Sequence, residues 1–186
     1  MNFMAWRAHK TVVLVGMMGA GKTAVGKAIA ARLDLPFVDS DTEIVQAASM
    51  TIAEIFERDG EAFFRDRETE VIARLLGSAP CILSTGGGAF LAERNREMIT
   101  QRGVSVCLDA DLDLLWTRVR HRTTRPLLRT ADPKATLAEI FETRAPIYAL
   151  ADLSVTARPE YSIDEMAVRV VDKLLTRPDV LERADA

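Results

Sequence analysis

The 186-residue sequence predicts one α/β domain in three layers, with helices on both sides of a five-stranded parallel sheet. Two observations predict it. Short apolar, β-branched runs alternate with longer segments whose apolar residues recur at helical spacing. The first such run, Thr11-Val12-Val13-Leu14-Val15, feeds through a glycine-rich loop into a helical pattern from Thr23 to Leu33, a strand–loop–helix unit typical of parallel sheets. The expected strands are Val12–Val15, Pro36–Asp39, Cys81–Ser84, Val104–Leu108 and Leu153–Thr156. Three helix starts carry a capping-box pattern, Thr51 with Glu54, Thr136 with Glu139 and Ser162 with Glu165. The last opens a closing helix over Met166–Leu175. Beyond Arg177-Pro178 the chain turns polar and is expected to fray. The segment ahead of the first strand is expected to have no catalytic part.

Composition narrows the function. A net charge of −3 argues against general nucleic-acid binding, which needs a basic face. No apolar run reaches the length of a membrane span, and Met1–Lys10 lacks the apolar core of a secretory signal. Cys81 and Cys107 sit in apolar strand-like runs with no Cys/His cluster beside them. They read as reduced, buried thiols of a cytoplasmic protein.

The loop Gly16-Met17-Met18-Gly19-Ala20-Gly21-Lys22-Thr23 has the spacing G-x-x-x-x-G-K-[ST] of a phosphate-binding P-loop. Gly16, Gly19 and Gly21 permit turns that a Cβ would block, so backbone N–H groups form an anion-binding nest at a helix N-terminus. Lys22 is placed to reach the β- and γ-phosphates, and the Thr23 hydroxyl to ligand Mg²⁺. The fold expected is therefore that of a P-loop NTPase.

Two segments do not pattern as sheet-packing elements. Asp41–Leu76 is a long helical insertion suited to binding an acceptor, and Arg118–Pro133, rich in Arg and Thr, suits a mobile lid over ATP. The second strand runs into Asp39 and Asp41. If it stays extended, both carboxylates share a face, one to hold Mg²⁺ and the other to accept a hydrogen bond from an acceptor hydroxyl. Such residues equally serve as helix caps. Thr85-Gly86-Gly87-Gly88 leaves a strand end open to close ligand approach. Arg65, Arg125 and Arg144 are candidate clamps for carboxylate or phosphate, although most of the 24 basic residues must be solvated. Asp109, after the fourth strand, is a rival metal ligand. It ranks behind Asp39 because that strand is expected to lie further from the γ-phosphate.

In order along the chain, the P-loop, Asp39-Ser40-Asp41, Ile55-Phe56, Phe64-Arg65, Gly86-Gly87-Gly88, Arg125-Pro126-Leu127-Leu128 and Arg144-Ala145-Pro146-Ile147-Tyr148 together resemble the shikimate kinase family, from about Thr11 to about Leu175. The resemblance implies transfer of the ATP γ-phosphate to the 3-hydroxyl of shikimate, with Mg²⁺, by a cytoplasmic monomer. It implies that Asp41 binds the shikimate hydroxyls and takes the proton, and that Arg65 and Arg144 clamp the carboxylate. Gly86, Gly87 and Gly88 would supply backbone contacts, with Phe56 and Phe64 as the apolar wall. Thr23 and Asp39 would hold Mg²⁺, Asp39 through water. Gly19, Ala20, Gly21, Lys22, Thr23 and Ala24 would bind ATP with Arg125, while Arg118 and Arg158 would line the adenine end. A related small-molecule kinase, such as one for gluconate, and a non-catalytic nucleotide-binding module are the competing readings.

Overall fold

The computed structural model describes residues 5–122 and 125–184. Its centre is β2 (Thr11–Val15), buried along its whole length, as a β-branched run covered on both faces should be. It pairs in parallel with β4 (Ile82–Ser84) on one side and β5 (Gly103–Asp109) on the other. β3 (Phe37–Asp39) and β6 (Leu153–Thr156) form the edges, so the spatial order is β3-β4-β2-β5-β6. The registers Val13↔Leu83 and Val13↔Ser105 bring the carboxyl ends of the three central strands level.

The chain reverses direction across the sheet after β3, and right-handed crossovers then place the helices in two layers. The β2-to-β3 crossover uses α1 (Lys22–Leu33), which packs with α7 (Ile163–Leu174). Connections running the other way use α3 (Ile52–Leu76), α4 (Glu93–Arg102), α5 (Leu112–Val119) and α6 (Pro133–Tyr148). Gly26 lets α1 sit tightly on the sheet: a Cβ there would lie 2.7 Å from the Phe37 ring.

The expected insertion consists of α2 (Ser40–Ala48) and α3. Ile44, Ile55, Phe64 and Val71 give it a small apolar core separate from the main one. The Thr51–Glu54 capping box starts α3, which breaks at Gly60, where φ is 86°. The Ser162–Glu165 box likewise starts α7. Thr136 is not a cap. α6 begins earlier, at Pro133, with Asp132 accepting from the Ala135 N–H, because proline at the first helical position fixes the helical φ without losing a donor.

Beyond Arg177-Pro178 the described residues are paired and packed rather than frayed, against expectation. β1 (Trp6–Ala8) pairs antiparallel with β7 (Leu181–Arg183) as a two-stranded ribbon at the amino end of β2. Val180 and Leu181 are buried there, and the Ala184 N–H donates to the Ala5 carbonyl at 2.9 Å. Asp179 takes a two-point hydrogen bond from Arg177 and a third from Lys10, which hold its carboxyl far below the usual range. Of the expected lid, Thr123 and Thr124 lie outside the described residues, and Pro126–Leu128 forms one turn of 3₁₀-helix. Among the described residues no helix is long and apolar enough to cross a membrane. Cys81 and Cys107 are buried free thiols.

Candidate active site

The carboxyl end of β2 leads into the P-loop, where Gly19 and Gly21 hold φ of 82° and 95°. These are left-handed conformations that side chains disfavour. Lys22 folds back over the loop and donates to the carbonyls of Gly16 at 2.7 Å and Met17 at 3.1 Å. Burial lowers its pKa to about 8, and the nearby charge of Arg125 acts in the same direction, against Asp41 and Asp39. Arg118, from α5, braces the loop by donating to the carbonyls of Gly19 and Ala20 at 3.1 and 3.2 Å.

A cleft of about 770 Å³ opens over this loop. Of the expected site residues, Gly19 to Ala24, Asp39, Asp41, Gly86, Gly87, Arg118 and Arg125 all line it. Lys27, Arg122, Tyr161 and Ile163 line it too, and the sequence had not singled them out. Among the described residues the Arg125 Nε is buried without a hydrogen-bond partner.

Of the two readings left open for Asp39 and Asp41, an extended strand or a helix cap, the structure takes the second. β3 ends at Asp39, and Asp41 lies in the first turn of α2, so the pair is not carried by an extended strand. Asp39 caps α2, accepting from the Thr42 N–H at 3.0 Å, and this leaves its second oxygen available. Burial and the neighbouring Asp39 raise the pKa of Asp41, opposed by Arg65 and Lys22.

The Gly86–Gly88 turn faces the acceptor side, and each glycine there leaves room for one partner. A Cβ on Gly86 would come within 2.7 Å of the Asp41 carboxylate, and one on Gly87 within 3.3 Å of the Arg144 guanidinium; one on Gly88 would strike that of Arg65. None of the three has positive φ, so space rather than backbone conformation calls for glycine. The turn thus brings together the three residues expected to hold an acceptor. The Phe56 and Phe64 rings pack 4.9 Å apart, tilted by 40°, with the Arg65 guanidinium over Phe64 at 5.2 Å.

Sequence reasoning gave no role to two residues here, although Tyr148 closes the Arg144 motif. Glu68, 1% exposed, accepts from Arg65 at 2.9 Å; burial raises its pKa while Arg65 pulls it back. Tyr148 donates its hydroxyl to the Gly87 carbonyl. Both signals were present as helical spacing, Arg65 with Glu68 at i+3 and Arg144 with Tyr148 at i+4.

Two other expectations change. The strand before Asp109 is not remote from the loop, since β5 pairs directly with β2. Asp109 is set apart instead by facing a separate cavity of about 200 Å³ with Met17, Cys107 and Tyr148. Arg158 lines a neighbouring open groove with Arg169 and Lys173, and only Tyr161 is common to that groove and the cleft.

Comparison with known proteins fits this geometry. A family model described as shikimate kinase matches residues 18–175. A shikimate kinase from Ruegeria pomeroyi is 68% identical over 174 residues, covering 94% of this chain and 89% of that protein. One from Cereibacter sphaeroides is 64% identical over 176 residues, covering 95% and 88%. Among solved structures, a shikimate kinase from Acinetobacter baumannii in complex with shikimate superposes with a TM-score of 0.82 at 36% identity, covering 90% of this chain and 93% of that one.

Proposed function

The chain belongs to the shikimate kinase family, and from that premise we propose that its cleft holds ATP and shikimate end to end and transfers the γ-phosphate to the 3-hydroxyl of shikimate. The observation that carries the reading is the glycine turn, which gathers Asp41, Arg65 and Arg144 beside a cleft already lined by the P-loop. Shikimate is a small ring bearing one carboxylate and three hydroxyls. Two guanidiniums match the carboxylate, and one carboxylate matches neighbouring hydroxyls.

In the transfer step the acceptor oxygen forms a bond to the γ-phosphorus while the bond from phosphorus to the bridging oxygen of ADP breaks. The hydroxyl proton passes to Asp41, whose raised pKa makes it a better base than an ordinary aspartate. Lys22 exchanges its two loop carbonyls for phosphate oxygens, and Arg125 directs its unpartnered Nε at the same phosphates. Arg118 holds the loop and lines the nucleotide side of the cleft, with Tyr161 and Ile163 as apolar surface for a base.

Thr23 and the free oxygen of Asp39 suit a hard cation, since both are oxygen donors on the cleft wall. Among the described residues no cluster of three or more acidic, His or Cys side chains forms a metal cage, in keeping with an ion carried mostly by phosphate and water. Mg²⁺ held there would neutralise phosphate charge. The family likeness is what supports a monomer, and the two buried thiols support a cytoplasmic setting.

The test is a coupled ADP-release assay with Mg²⁺ over a panel of small hydroxy acids that includes shikimate and gluconate. Shikimate alone should stimulate release. No stimulation by shikimate, with ATP still bound, would instead support a non-catalytic module.

A further inference from the structure

Tyr148 belongs to neither the P-loop nor the acidic pair, yet it is buried within the acceptor side. It is the last residue of α6, one turn beyond Arg144, so both side chains leave the same face of that helix. Its hydroxyl donates to the Gly87 carbonyl, and its ring stacks on Phe90 at 6.4 Å with an interplanar angle of 16°. Burial raises the phenol pKa, while the neighbouring charge of Arg144 lowers it. The phenol oxygen and the Arg144 guanidinium meet over Gly87, 3.9 and 3.3 Å from where a Cβ on that glycine would stand.

The rest of the turn is pinned from the opposite direction. Asn95 donates to the Ala89 carbonyl at 2.9 Å, and Arg96 donates to those of Phe90 and Leu91 at 2.9 and 2.8 Å. Gly87 itself is held on its carbonyl side by Tyr148. Without the phenol, that carbonyl loses its partner and the Arg144 guanidinium loses a polar neighbour over Gly87. From this arrangement we propose that Tyr148 is a positioning residue for shikimate binding, whose hydroxyl locks the Gly87 backbone and the Arg144 guanidinium into one acceptor-ready unit. The inference rests on the acceptor reading above and adds to it a residue that touches no reacting atom.

Tyr148→Phe tests it in the full chain, because phenylalanine keeps the ring on Phe90 and removes only the hydroxyl. The KM for shikimate should rise roughly tenfold, the equivalent of one net hydrogen bond, with the KM for ATP and kcat within about twofold of the parent. In the double variant with Arg144→Ala, the two effects on shikimate KM should be less than multiplicative, since the hydroxyl acts partly through Arg144. An unchanged shikimate KM, equal rises for both substrates, or strictly multiplicative effects would overturn the proposal. A lowered melting temperature without the KM split would also overturn it, in favour of a purely structural role. Arg144→Ala alone separates the two layers of inference: if it leaves the shikimate KM untouched, the carboxylate clamp fails, whatever Tyr148→Phe does.

Discussion

Two glycine-rich turns meet in the cleft, and they need glycine for opposite reasons. In the P-loop the backbone itself demands it, with φ of 82° at Gly19 and 95° at Gly21. In Gly86–Gly88 the backbone is ordinary, and the demand comes from Asp41, Arg144 and Arg65 packed against the three α-carbons. A side chain in the first turn distorts the phosphate nest whatever surrounds it. In the second it displaces the flexible end of a binding residue and spares the fold. The donor site is thus built into main-chain conformation, while the acceptor site is built from side chains seated on a bare backbone.

The largest effect expected from that division lies where the two halves join. Asp41→Asn should lower turnover by two to four orders of magnitude, the range for losing a positioned acid–base group, with ATP affinity nearly intact. Near-native turnover in an ADP-release assay would remove Asp41 from the chemistry.

Next come the glycines themselves. Gly19→Ala places a Cβ 2.6 Å from Val119 in a left-handed conformation, so both ATP affinity and melting temperature should fall. Gly88→Ala should push Arg65 aside and raise the shikimate KM about tenfold, as expected for a misplaced charged hydrogen bond, with ATP affinity intact and a smaller loss of melting temperature, from loosening Arg65 on buried Glu68, than in Gly19→Ala. Should the two variants behave alike in both assays, the distinction between the turns is lost.

The pH response is smaller. With its pKa at about 8, Lys22 sheds its proton as pH rises past that value, while bound phosphate favours the charged form. ATP binding should therefore take up protons above pH 8 and weaken several-fold over the next pH unit. Calorimetry in two buffers of different protonation enthalpy reads the uptake directly, and heats independent of buffer would refute it.

The smallest effect on the site should come from the far end of the sheet. Leu181→Ala should cost about 2–4 kcal/mol of stability, as buried leucine truncations do, and leave kcat unchanged. Denaturant unfolding and the kinetic assay together check this.

Elements that declare themselves locally were legible in the sequence. The three central strands of the parallel sheet are short, mostly apolar runs buried almost throughout, and the P-loop carries its own geometry. What could not be read depended on partners distant in sequence. Trp6-Arg7-Ala8 carries one charge in three residues and Leu181-Glu182-Arg183 two, and they become strands only by pairing with each other. The order of strands is equally silent in sequence, which is why β5 was expected further from the loop than it lies. The strand end at Asp39 was legible, but Phe37-Val38-Asp39-Ser40-Asp41 alone leaves open whether Asp41 continues extended or starts a helix capped by Asp39, and only the fold decides for the helix. The arginines were nameable as candidates, but only packing distinguishes Arg65, anchored on buried Glu68, from the solvated majority.

The β1–β7 ribbon has one more consequence. Because Ala5 and Ala184 are a single hydrogen bond apart, a linker of a few residues would close the polypeptide into a ring without disturbing either strand. Fresh termini could then be opened in the exposed turn at Ser78-Ala79, between α3 and β4, yielding a circular permutant whose cleft is unchanged.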